Sequence, residues 1–259
     1  MNQEKRILVC EDSMEGIFSA VYDGWKECAG GCKVSIQTSF PVNMELFTSY
    51  REIVTDQSKA GKVMRTILMR LGSEVYEQIC LAAASADEDR GTAIYYVLHR
   101  AFGGGRCEKR VMEALADPYV SRVAKLALCV KREYHHYFGF VRFREISGRF
   151  LLAKIQPGND ILSLMALHFS NRFPNENWVI YDEKRQKALC HEKGKECVMR
   201  KGVRIQVPGS AVGDMGEYEE LWQTFCDSIS IEARRNEKLQ KQMLALHFRS
   251  NMPEFSVKG

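Results

Sequence analysis

Three side chains in this sequence are of types that move protons near neutral pH: His135, His168 and Asp182. His168 stands four residues before Arg172, so the two share a face if the segment is helical. Asp182 ends the run Trp-Val-Ile-Tyr-Asp, a strand end where a working carboxylate could sit. It could equally cap the following turn with Arg185 as its partner. His135 and His136 are adjacent, and on a helix they diverge by about 100°, which suits no bidentate metal pair. Glu133 and His136 lie three apart and could face each other. Cys28 with Cys32, and Cys190-His191 with Cys197, lack the paired spacing of a structural zinc site. No metal or cofactor is expected.

The second chemical signal is cationic. Residues 121–144 hold Arg122, Lys125, Lys131, Arg132, Arg142 and Arg144 against the single acid Glu133. Residues 183–204 hold eight basic side chains, Arg185 among them, against three acids. Tyr134, Tyr137, Phe138, Phe140 and Phe143 interleave with the first group. Cations neutralise phosphates, and aromatic rings stack on bases, so the combination suits nucleic acid. A solvated helix face beside an ordinary aromatic core is the plainer alternative. Near the end, Arg235 and Lys238 lie beside Asn236 and Gln240, cations and amides that could meet a backbone and its bases. The expectation is that Arg122, Lys131, Arg132, Arg142, Arg144, Arg172, Arg185, Arg235 and Lys238 converge on one cationic groove.

These side chains need elements to hold them. Residues 6–10 and 33–37 read as a pair of short strands around a helix that opens near Ser13. From Gln57 to the glycines at 103–105 the apolar spacing is helical, with Ser85 and Glu88 as a capping box. A further helix is predicted from Pro118 to about Tyr137. After it, residues 138–146 and 149–155 read as a hairpin about Ser147-Gly148, with Arg142 and Arg144 on one face. A helix through Met165 and Phe169 comes next. Strands follow at 178–181, 188–190 and 203–207, then a last helix over 218–242. The order predicts an α+β fold, with a mainly helical first half and an antiparallel sheet with flanking helices in the second. Residues 1–117 and 118–259 are the expected regions.

Composition excludes several classes. The chain has 259 residues, 45% hydrophobic and 27% charged, with a net charge of +4, so it is neither disordered nor low in complexity. Its nine cysteines are odd in number and irregularly spaced, which suits reduced thiols. The apolar run at residues 7–10 is too brief for a signal sequence, and no run reaches the ~20 residues of a membrane span. A cytoplasmic protein with no membrane partner is expected.

An ordered set of segments carries a family resemblance. It begins with Asp12-Ser-Met-Glu-Gly16, Ala20-Val-Tyr22, Thr55-Asp56 and Val63-Met64. Arg132-Glu-x-His135, Gly139-Phe-Val-Arg-Phe143 and Ile155-Gln-Pro157 follow. Then come His168-Phe-x-x-Arg-Phe173, Trp178-Val-Ile-x-Asp182-x-x-Arg185, Leu221-Trp222 and Arg235-Asn236. Together these resemble a bacterial family of uncharacterised DNA metabolism and repair proteins, encoded beside a radical-SAM DNA repair protein. In some relatives a similar region is fused to a uracil-DNA-glycosylase-like domain. The resemblance implies DNA and a radical-SAM protein as partners, and brings no catalytic residues with it. Three functions stay open: a nucleic-acid-binding accessory factor, a DNA-processing enzyme using His and Asp, and a protein adaptor.

Overall fold

The computed structural model describes residues 5–28, 32–41, 43–103, 109–146, 150–205, 244, 246–249 and 252. The chain divides into two compact units, residues 1–132 and 133–259.

In the first unit, strand β1 (Lys5–Cys10) lies between β2 (Lys33–Gln37) and β3 (Thr48–Ile53), and all three run parallel. Ile7, Leu8, Val9 and Cys10 are all buried, as a central parallel strand covered on both faces requires. Helix α1 (Met14–Cys28) connects β1 to β2. The strand pair expected from sequence is therefore a three-stranded sheet. β3 reads Thr-Ser-Tyr-Arg-Glu-Ile, a mostly polar edge strand without the apolar alternation that signals strand.

Helices α2 (Gln57–Leu71), α3 (Ser73–Ala83) and α4 (Arg90–Gly103) follow. Asp56 caps α2 by accepting from the Ser58 and Lys59 amides at 2.8 and 3.2 Å. The backbone breaks between α2 and α3 at Gly72, whose φ of 94° favours glycine. The Ser85 hydroxyl accepts from the Asp87 amide at 3.2 Å and α4 starts only at Arg90, so Ser85 makes no box with Glu88. Helix α4 seals the free edge of β2: the Thr92 hydroxyl bonds both the N–H and the C=O of Ile36, at 2.9 and 3.0 Å. Gly91 permits that approach, because a Cβ there would lie 2.7 Å from the Ile36 side chain. Helix α5 (Pro118–Phe140) begins with proline at its first position, capped by Asp117, which accepts from the Tyr119 and Val120 amides.

The second unit is built on a five-stranded sheet of order β4 (Arg144–Ile146), β5 (Phe150–Ile155), β6 (Trp178–Asp182), β7 (Lys187–His191) and β8 (Val198–Lys201). Helix α6 (Leu162–Arg172) connects β5 to β6, which run parallel, while every other pairing is antiparallel. The sheet is mixed because the α6 crossover returns the chain in the same direction. Alternate residues serve its two faces: Leu152, Tyr181 and Ala188 pack with Val203 and Ile205, and Trp178 meets Phe169 of α6 on the other. α5 continues through Gly139 to Phe140, with the Val141 amide still bonded to the Tyr137 carbonyl at 3.0 Å. The hairpin is accordingly shorter than its sequence suggests, and Arg142 precedes the strand that carries Arg144. The strand after β7 is Val198–Lys201, and residues 203–205 are irregular. The helix expected over 218–242 lies outside the described residues. A short helix α7 (Leu246–Arg249) packs Phe248 against Tyr137 and Phe140. No helix among the described residues is long and apolar enough to cross a membrane.

Candidate functional site

The second unit brings two of the proton-transfer candidates together. His135 and Phe138 stand three apart on α5, and His168 and Arg172 four apart on α6. The His168 ring lies flat on Phe138, with centroids 3.9 Å apart and planes 10° apart. His135 meets the same ring edge-on at 5.5 Å, and Tyr134 closes the group, 4.7 Å from His135 and 5.3 Å from Phe138. Phe169 lies beneath, between Phe138, Phe143 and Trp178. His135 and Arg172 are exposed, while Tyr134, Phe138 and His168 are half-buried.

Burial is the first influence on His168. Partial burial, then the positive charge of Arg172, then His135 hold its pKa below the ordinary imidazole value. Its Nε2 is enclosed and has no hydrogen-bond partner among the described residues. The stacked rings beside the exposed His135 imidazole and the exposed Arg172 guanidinium offer aromatic surface, a polar edge and a positive charge. Such a group can stack on a base, contact a phosphate, or take a proton.

Asp182 does not join it. Its side chain is wholly buried and faces its own turn: Oδ1 accepts from the Lys184 and Arg185 amides at 3.0 and 3.1 Å, and Oδ2 pairs with Arg185 at 3.2 Å. Burial raises its pKa, against the opposing pull of Arg185 and the two amides. Arg185 also donates to the carbonyls of Pro157, at 3.0 Å, and Gly158. From the other side, Glu133 accepts from the Gly158 amide at 2.6 Å, the Asn159 amide at 3.0 Å and the Asn159 side chain at 2.5 Å. Glu133 and the Asp182–Arg185 pair thus clamp the 157–159 turn by its amides and its carbonyls. Of the two roles open to Asp182, the structure shows the turn cap with Arg185 as its partner. Glu133 does not face His136, whose ring meets Phe140 and Phe248 instead.

Several of the cations expected to share one groove have partners of their own. In the first unit Arg122 pairs with Asp87, Lys131 lies 3.9 Å from Glu77, and Arg132 is exposed. In the second, Arg142 is half-buried and donates to the Gly139 carbonyl at 2.8 Å, where it complements the C-terminal end of α5. Arg185 is committed to the turn, and Arg144 and Arg172 are exposed. Arg235 and Lys238 lie outside the described residues. Sequence shows where cations concentrate but not which carboxylates and carbonyls the fold sets against them. Sequence reasoning also missed the clamp made by Glu133, because nothing links residue 133 to the Pro-Gly-Asn turn before the chain folds.

His191 and Cys197 each have a partner in the second unit. His191 stacks on Trp178, with centroids 5.0 Å apart, and its Nδ1 lies 3.0 Å from the Glu176 carbonyl oxygen. The Cys197 sulfur lies 3.0 Å from the Ser170 hydroxyl. Among the described residues, no three His, Cys, Asp or Glu side chains gather as a metal site.

The domain of unknown function DUF4130 matches residues 88–254. The chain belongs to the DUF4130 family. The match takes in α5, α6 and the whole mixed sheet, and so every residue of the His135–His168 group. The parallel sheet of the first unit lies ahead of it. No curated protein matches the chain. Among solved structures, the chain is similar to a Methanococcus jannaschii crystal structure assigned as a family II inorganic pyrophosphatase. Identity is 12%, with 80% of this chain and 78% of that chain covered. The TM-score of 0.20 is too low to support any argument from it.

Proposed function

We propose that this DUF4130 protein is a nucleic-acid-binding accessory factor of DNA metabolism that acts beside a radical-SAM protein. The observation that carries the binding part is the His168–Phe138 stack, with His135, Tyr134 and the exposed Arg172 around it. The radical-SAM part rests on the family resemblance alone. Aromatic stacking contributes roughly 1–3 kcal/mol per base, enough for a small face to hold a strand when a cation meets the phosphate. The deciding experiment is fluorescence anisotropy with single- and double-stranded oligonucleotides at several salt concentrations. His168→Ala with Arg172→Glu should weaken binding at least ~10-fold for all sequences alike. Binding equal to the parent's would refute the assignment of this face.

A DNA-processing enzyme is the second reading, and the placement of His168 and His135 against the same Phe138 ring favours it. Single-turnover assays on damaged oligonucleotides, with and without divalent metal, separate the two. Unchanged substrate with binding intact leaves the accessory role. Co-purification with the radical-SAM protein and no retention of nucleic acid leaves an adaptor.

A further inference from the structure

The first unit holds a cavity of about 500 Å³ between α1, α2 and α4. Its floor is apolar, made by Val21, Ile67 and Leu98, each no more than 2% exposed. Trp25 and Phe102 stand at one side, edge to face with centroids 6.2 Å apart. Its polar lining is cationic: Lys26 from α1, and Lys62 and Arg70 from α2. Among the described residues, no carboxylate lines it.

The charges converge on one ring. The ammonium groups of Lys26, Lys59 and Lys62 lie 5.4, 5.9 and 5.9 Å from the centre of Tyr22. Asp23 neutralises Lys59, at 2.8 Å. Lys26 and Lys62 both line the cavity and are each held beside Tyr22 by a weak cation–π attraction. An anion bound in the cavity would add charge pairing with either lysine. The aromatic wall and apolar floor would take a flat, poorly hydrated body attached to the anion.

We infer that this cavity binds a nucleoside phosphate, with the phosphate on Lys26 and Lys62 and the base against Trp25 and Phe102. A cavity of this size is in the usual range for a small-molecule ligand. The site belongs to a different unit from the His168 face, and neither depends on the other. The same chemistry could come from a free nucleotide or from the phosphorylated end of a strand.

The test uses the whole chain and its tryptophan fluorescence. Adenosine 5′-monophosphate, adenosine, inorganic phosphate and a 5′-phosphorylated oligothymidylate are titrated separately. A nucleoside phosphate should bind saturably and change the signal, and Trp25→Phe should remove the change. A charge-assisted hydrogen bond is worth ~1.5–3 kcal/mol, so Lys26→Glu with Lys62→Glu should weaken binding at least ~10-fold. Lys62→Ala, at an exposed position, serves if the double variant does not fold. Saturation by the mononucleotide marks a small-molecule site. Saturation by the oligonucleotide alone marks a strand end, and either result supports the inference. It is overturned if neither binds, if inorganic phosphate binds as tightly as the nucleotide, or if folded lysine variants bind like the parent.

Discussion

Replacing Glu133 by alanine tests the clamp that holds the 157–159 turn. The carboxylate serves three donors: the amides of Gly158 and Asn159, and the Asn159 side chain. Gly158 is exposed, so water replaces the lost acceptor there at little cost. Asn159 is only 9% exposed, and its amide and its side-chain NH2 would both lose their bond to Glu133. A buried donor without an acceptor costs about 1–3 kcal/mol, and local opening would admit some water. Glu133→Ala should therefore destabilise by about 2–4 kcal/mol. Glu133→Gln keeps one acceptor in place and should cost about half as much. Urea denaturation followed by circular dichroism measures the loss. Amide hydrogen exchange localises it: protection at Asn159 should fall by at least ~10-fold, since 1.4 kcal/mol is a factor of ten. A change within ~0.5 kcal/mol, with Asn159 still protected, would refute the clamp and the geometry drawn from it.

Two further outcomes follow from shifted ionisations. The His168 pKa is lowered in the folded state, so the unfolded chain binds the proton more tightly, and stability should fall as pH drops below the ordinary imidazole value of 6.5. His168→Phe keeps a ring on Phe138 and should flatten that part of the curve; a variant with the parent's slope between pH 5 and 7, roughly the imidazole range, would contradict the assignment. Burial pushes the Cys10 thiol up to about 12 and the Cys80 thiol up to about 11, whereas Cys129 is exposed. Iodoacetamide at pH ~8 should modify Cys129 in the native protein well before Cys10 or Cys80, by mass spectrometry, and early labelling of Cys10 would refute its burial.

Much of the architecture was legible because it rests on local rules. The four apolar residues of β1 and Pro118 at the start of α5 each act within a few residues. The helical first half and the strand-rich second half followed from periodicity. The polar edge strand β3 and the extension of α5 past Gly139 were not legible, because partners distant in the chain decide both. The same division runs through the candidate site. The spacing of His168 and Arg172 placed that pair on one helical face.

The sequence by itself determined which residues could carry charge, stack or transfer a proton, since those are properties of side chains and of helical spacing. Only the tertiary structure decided their company. It laid His168 on Phe138, committed Asp182 and Arg185 to a turn, set Asp87 against Arg122, and gathered the lysines of α1 and α2 around Tyr22. The reason is physical. A charge or a ring acts over a few ångströms, and residues tens of positions apart come that close only when burial of the apolar core fixes the path of the chain between them.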